Sequence, residues 1–165
     1  MSAMIAPAPF HSTPPLEFRP ILERDLPGVA AIEADVYVYP WTLGNFRDSL
    51  LSGYQCIACW TGRELIGYAI LMTALDEAHL LNFAVASRWH RRGIGAHFLQ
   101  HLIETCRSLH LEMLYLEVRP SNLAARGMYE HFGFRKLGMR RDYYPSPTGR
   151  EDALFLGLYL MPKIL

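Results

Sequence analysis

Three cysteines, odd in number and irregularly spaced, are too few to imply a disulfide framework. No apolar run approaches the roughly 18–20 residues that a membrane span needs. Net charge is absent as well. Sixteen Lys+Arg stand against sixteen Asp+Glu, with a pI of about 7.1. That balance leaves no global basic field for sequence-independent nucleic-acid binding. Met1 to Pro15 (MSAMIAPAPFHSTPP) lacks both a basic n-region and a continuous apolar h-region, so it does not read as a secretory signal. Apolar material, by contrast, is plentiful: 51% of the 165 residues are hydrophobic and 12% aromatic, which excludes global disorder. The expectation is one cytoplasmic, monomeric domain over residues 16–165, preceded by a flexible Pro/Ala-rich leader over 1–15.

Two periodicities alternate after residue 15. Leu16–Ile21 alternates apolar and polar residues as a short strand does. Glu23–Tyr37 carries helical spacing through Leu26, Val29, Ala30, Ile32 and Val36. Thr42–Leu51 reads as a second helix with Thr42 as N-cap, and Tyr39-Pro40-Trp41 breaks the two. Strands follow at Tyr54–Trp60, Leu65–Thr73 and Ala78–Ala86, the first two joined by a tight turn at Thr61-Gly62. Ile94–Leu109 is a long amphipathic helix, Met113–Val118 a strand, and Leu123–Phe132 a helix closed by Gly133. Arg135–Arg141 is a strand, Tyr143–Gly149 a loop, and Ala153–Leu160 a last apolar strand. The order β-α-α-β-β-β-α-β-α-β-β predicts an α/β fold with a mixed central sheet flanked by helices.

Chemistry concentrates first where a strand ends and a helix begins, in Asn82 to Ala96 (NFAVASRWHRRGIGA). The first turn of a helix offers free N–H groups and the positive end of the macrodipole, and glycines let that backbone approach a pyrophosphate. Arg91 and Arg92 sharpen the signal, since cations there cost about 0.3–1 kcal/mol each unless an anion joins them. The plain alternative is a tight turn with solvated arginines. The spacing is neither the dinucleotide G-x-G-x-x-G, because Phe98 stands at the third glycine, nor a Walker A loop.

The second concentration is Leu116 to Asn122 (LEVRPSN). Glu117 lies near the end of an otherwise apolar strand, where partial desolvation suits a carboxylate to general-base work. An ion pair with Arg119, two residues on, is the simpler reading. Ser121 or Asn122 is placed to cap the next helix, which would by itself account for Asn122. Tyr129, on that helix, can serve as a proton donor or simply as core.

Together these segments resemble the GCN5-related N-acetyltransferase (GNAT) family, whose acetyl-CoA motif Q/R-x-x-G-x-G/A follows the fourth strand. Here it reads His90-Arg91-Arg92-Gly93-Ile94-Gly95. LNFAV, LEVRPSN, AARGMYEHFGF, RRDYYPSPTGREDALFL and Tyr39-Pro40-Trp41 are similar to the RimI-like branch, which acetylates the N-terminal alanine of a small-subunit ribosomal protein. The resemblance implies a GNAT fold and acetyl-CoA as cosubstrate, without a metal. It implies that Phe83, Ala84 and Val85 hold the acetyl and pantetheine portion, that Arg91, Arg92, Gly93, Ile94, Gly95 and Ala96 bind the pyrophosphate, and that Asn122 contacts the cofactor. Glu117 matches the general base, and Tyr129 the donor to the departing thiolate. His90 and Ala96 depart from the pattern at positions where Gln or Arg and a basic residue are usual. Gly127 interrupts a helix at a cost of about 1 kcal/mol relative to Ala, which close packing near the thiol would explain.

The mechanism this implies is direct attack by a neutral amine in a ternary complex. An α-amine with a pKa of about 7.7–8.0 needs far less help than a lysine near 10.4, which favours a protein N-terminus. A backbone N–H near Val85 would stabilise the oxyanion. Cys56 and Cys59 form CxxC inside a strand, so their thiols point to opposite faces, and Cys106 lies on an apolar helical stripe; all three read as core. His97 and His101 stand at i, i+4 but lack the Glu of H-E-x-x-H and a third ligand. Trp41, Tyr143 and Tyr144 are candidates for the walls of a peptide cleft, and Asp76, Glu77, Glu151 and Asp152 for attracting a basic peptide. Acetylation of a lysine or a small amine, and a non-catalytic acyl-CoA sensor, are the competing functions.

Overall fold

Seven strands hydrogen-bond into one sheet in the order β1-β2-β3-β4-β5-β7-β6. The structure is a computed structural model that describes residues 15–161; the leader expected over 1–15 lies, apart from Pro15, outside the described residues. Along the chain come β1 (Glu17–Pro20), α1 (Leu26–Val36), α2 (Leu43–Leu51), β2 (Gln55–Thr61), β3 (Glu64–Ala74), β4 (Glu77–Val85), α3 (Ile94–Ser108), β5 (Met113–Val118), α4 (Leu123–His131), β6 (Arg135–Ser146) and β7 (Gly149–Tyr159). This is the expected order, with turns of 3-10 helix added at Glu23–Asp25 and Ser87–Trp89. Among the described residues no helix is long and apolar enough to cross a membrane.

Local chemistry explains the boundaries. Thr42 Oγ1 accepts the Asn45 N–H (3.1 Å) while Asn45 Oδ1 accepts the Thr42 N–H (2.9 Å), a reciprocal cap that starts α2 at Leu43. Every neighbouring pair in the sheet is antiparallel except β4 with β5, which the α3 crossover joins in parallel. One core layer packs α3 and α4 on one face, through Ile94, Phe98, Leu102, Cys106 and Tyr129. The other packs α1 and α2 on the opposite face, through Leu26, Val29, Ile32 and Phe46. Cys56 falls in the second layer and Cys59 in the first, as odd spacing along a strand requires.

The segment expected as a loop, Tyr143–Gly149, is instead a hairpin: β6 runs on to Ser146 and β7 begins at Gly149. Its two prolines suggested a break, but β6 is the last strand of the sheet. A proline on an edge strand sacrifices no ladder bond. The extra residues are absorbed where the register shifts between Arg140 and Tyr144, with Asp142 at φ 51°.

A second irregularity shapes the molecule more. Ile70 pairs with Asn82 but Leu71 with Leu80, so Leu81 is an extra residue on β4. Such a bulge bends its strand. β4 pairs with β5 only from Glu77 to Leu80, opposite Met113 to Leu116. Past the bulge β4 continues to Val85 and β5 to Val118 with no pairing between them. The sheet therefore carries a gap in its ladder between β4 and β5.

Candidate active site

The phosphate-type loop lies at one end of this gap. Gly93 is the N-cap of α3 at φ 76°, in the left-handed region, and Arg91 precedes it at φ 61°. Among the described residues, no acceptor takes the N–H groups of Arg91 through Ala96; the first helical bond runs from His97 N–H to Gly93 C=O at 3.1 Å. Arg92 is stacked over the Trp89 ring, its guanidinium carbon 4.8 Å from the centroid. The loop is held from two sides. Asp35 of α1 accepts from the Ser87 N–H (2.8 Å) and the Ser87 hydroxyl (2.9 Å), and His90 Nε2 donates to the Val85 carbonyl at 2.6 Å. His90, which departs from the family pattern, thus ties the loop to the end of β4.

The backbone of β4 turns alternate groups into the gap. Ala86 N–H donates to Ile66 C=O on β3 at 2.8 Å. In an antiparallel ladder the next residue's groups face the other way, so Val85 presents its N–H and C=O to the gap. Phe83 does likewise, its carbonyl accepting the Tyr37 hydroxyl at 2.6 Å. Ala84, expected beside them as a cofactor contact, instead turns its backbone to Tyr68 of β3 and serves the ladder. Alternation within the strand forces that difference.

On β5, Leu116 and Val118 are buried on the α3–α4 side, so Glu117 faces the α1–α2 side. Its side chain is only 8% exposed. The ion pair considered with Arg119 is not formed. Instead Glu117 Oε2 meets His79 Nε2 of β4, and Arg140 Nε of β6 lies 3.3 Å from Oε1 without making a hydrogen bond. Oε1 is buried and ion-paired with Arg140, with no hydrogen bond among the described residues. Arg119 bonds the Pro145 carbonyl (2.8 Å), pairs with Glu151 (3.5 Å), and stands over the Tyr144 ring at 4.4 Å.

Tyr129 approaches from α4 on the opposite face, so acid and base candidates sit on two sides of one gap. Burial raises its phenol pKa, and the nearby hydroxyls of Tyr37 and Tyr144 add to the effect. Tyr144 is raised for the same main reason, helped by the Glu117 charge. Asn122 is the N-cap of α4, its side chain accepting the Ala125 N–H at 3.2 Å. Gly127 is not a close-packing glycine: a Cβ there would meet nothing within 4 Å.

The three aromatic wall candidates differ in placement. Trp41 packs on Phe46 (5.3 Å between centroids), and its backbone N–H is held by Glu33, so it braces the α1–α2 loop from beneath. Tyr39, 42% exposed and 5.8 Å from the Arg119 guanidinium, faces outward in its place. Strand alternation splits the tyrosine pair, leaving Tyr143 44% exposed beside Arg140 while Tyr144 turns in. Glu151 is taken by the Ser121 N–H and hydroxyl, and Asp152 by the Asp142 N–H. Asp76 and Glu77 lie at the Met113 end of β5, away from Glu117.

Four participants were missed in the sequence: Tyr37, His79, Arg140 and Glu33. Tyr37 adjoins the Tyr39-Pro40-Trp41 element and Arg140 opens the RRDYYPSPTGREDALFL segment, whereas His79 and Glu33 carried no such signal. Glu33 is buried on α1, where it accepts from the Tyr68 hydroxyl, from Asn82 Nδ2 (2.9 Å) and from Trp41 N–H (2.9 Å). Burial pushes its carboxyl above the ordinary 4.5, and the bonds from Trp41 and Asn82 only partly offset this. A carboxyl raised on folding contributes stability below its unfolded pKa and loses it as pH climbs through the folded one. Wild-type stability relative to Glu33→Gln is therefore expected to fall as pH rises above the ordinary glutamate range, where the unfolded chain loses its proton before the folded one does. Thermal melts across that rise in pH check this, and parallel Tm curves would contradict it.

The cysteines take no part. Burial lifts Cys56 and Cys106 to about 11 and Cys59 to about 12, so the thiols stay protonated at neutral pH. His101 stacks on Phe18 at 4.1 Å and His97 meets the same ring edge-on at 6.1 Å, which gives both a packing role.

Residues 17–134 match the model of the acetyltransferase (GNAT) family. The chain belongs to this family. Within it, the chain is 37% identical over 134 residues to the ribosomal protein bS18-alanine N-acetyltransferase of Escherichia coli K12, covering 81% of this chain and 90% of that protein. The enzyme of that name from Haemophilus influenzae is 36% identical over 130 residues, covering 78% of this chain and 88% of its own. The crystal structure of the ribosomal-protein-S18-alanine N-acetyltransferase from Escherichia coli superposes with a TM-score of 0.84 at 34% identity, covering 91% of this chain and 98% of that one. GNAT enzymes use acetyl-CoA, and the free N–H groups before α3 and the gap-facing backbone of β4 suit its pyrophosphate and acyl arm.

Proposed function

We propose that this protein transfers the acetyl group of acetyl-CoA to the N-terminal alanine of the small-subunit ribosomal protein bS18. The observation that carries the reading is the gap between β4 and β5, with a buried carboxylate on one face and a buried phenol on the other. Kinship with the bS18-alanine enzymes supplies the acceptor.

Acetyl-CoA, when bound, supplies an acyl thioester whose carbonyl oxygen gains negative charge as an amine adds and whose sulfur departs. Arg91 to Ala96 would hold its pyrophosphate through backbone N–H groups, Arg91 and Arg92 adding charge. Glu117 Oε1, with no hydrogen bond of its own, takes the proton of the incoming ammonium. The gap-facing Val85 N–H is a fixed donor for negative charge developing beside it. Tyr129 keeps its proton across the neutral range, because burial raises its pKa, and so holds an O–H ready for donation. Tyr39 and Tyr143 border the α1–α2 side, where the peptide would lie.

The test is CoA release with three peptides: the mature N-terminus of bS18 with Ala first, the same peptide N-terminally blocked, and a peptide with an internal lysine. Turnover on the free Ala peptide alone is expected. Turnover on lysine alone would overturn the acceptor assignment, and acetyl-CoA binding without turnover on any peptide would mark a sensor.

A further inference from the structure

We infer that His79 is a positioning residue for Glu117: its Nε2–H pins Oε2 so that Oε1 stays free as the proton acceptor. The inference rests on the base role given to Glu117 above and adds a residue that sequence reasoning did not single out.

His79 lies on β4 before the bulge, opposite Tyr115 in the parallel ladder, and its ring reaches along the α1–α2 face to Glu117. A carboxylate can only accept, so the contact requires the proton on Nε2. Among the described residues only His79 hydrogen-bonds Glu117: Oε1 has no hydrogen bond, and the half-exposed Arg140 pairs with it by charge at 3.3 Å without one. A buried carboxylate with two bonded oxygens would make a weak base, and one with none would turn freely. A single bond to one oxygen fixes the rotamer while leaving the other lone pairs open. The ring is itself held, packing against Phe155 at 6.4 Å between centroids, and is 21% exposed, so it is a rim group and not a core residue.

The experiment is a double-mutant cycle on the full chain, with the free Ala peptide and acetyl-CoA as substrates and thermal melts on every variant. His79→Ala should lower kcat about 10- to 100-fold, the range for losing a hydrogen bond to a charged group, with the KM of both substrates little changed. His79→Gln, whose amide offers an N–H at similar reach, should recover most of that loss. In the Glu117→Gln background, His79→Ala should change kcat no further. Equal loss in both backgrounds, no recovery with Gln, or an unchanged kcat in His79→Ala would each overturn the inference. If Glu117→Gln keeps full activity, the base assignment fails and this inference with it. An inactive Glu117→Gln beside a fully active His79→Ala would leave the base standing and remove only His79.

Discussion

Replacing Glu117 by Gln is expected to lower kcat on the Ala peptide by about 10²–10⁴, the usual contribution of general base catalysis. The substitution is nearly isosteric. Its carbonyl oxygen can still accept from His79 Nε2, while the amide nitrogen at the Oε1 position cannot take a proton. Acetyl-CoA affinity should hold, because the loop from Arg91 to Ala96 is held by α3 and β4 while Glu117 stands on β5. Steady-state kinetics with a separate acetyl-CoA binding measurement check both halves. A kcat within a few-fold of wild type would remove Glu117 from the chemistry.

Tyr129→Phe carries the second large effect, a fall in kcat of about 10²-fold or more if the phenol is the proton donor. The ring lies 5.5 Å from Phe134, edge to face, and its hydroxyl bonds no partner among the described residues. Phe should therefore keep the packing and remove only the donor. A Tm near wild type with a collapsed kcat is the expected pair of results. Unaltered turnover would make Tyr129 plain core. In the double variant with Glu117→Gln, turnover should vanish while acetyl-CoA binding persists, since the two groups sit on opposite faces of the gap.

Different parts of this site were legible to different degrees. The G-x-G stretch and Glu117 were visible because each breaks a local rule, arginines before a helix N-terminus and a charge in an apolar strand, whereas Tyr129 stood out only through the family resemblance. The helix cap at Thr42 and the hairpin turn after Thr61 were visible because their chemistry is local. Tyr143–Gly149 misled because Pro and Gly indicate a break only when the strand has neighbours on both sides, and whether β6 is an edge is a property of the sheet. Whether Trp41 faces in or out could not be read locally, because its packing on Phe46 is set by the α1–α2 arrangement.

From its sequence alone, this chain determined its element order and the strand-to-helix glycine turn before α3, because those depend on periodicity and near-neighbour chemistry, while the resemblance to GNAT enzymes singled out Glu117 and Tyr129 as candidates. Tertiary structure alone decided the rest. The unpaired Leu81 makes the bulge past which β4 leaves β5, and that parting leaves Glu117 and Tyr129 on opposite faces of the sheet beside it. Contacts between strands far apart in sequence gave Glu117 the neighbours His79 and Arg140, where the sequence had suggested Arg119. Such pairings depend on register and strand order, which no local pattern encodes.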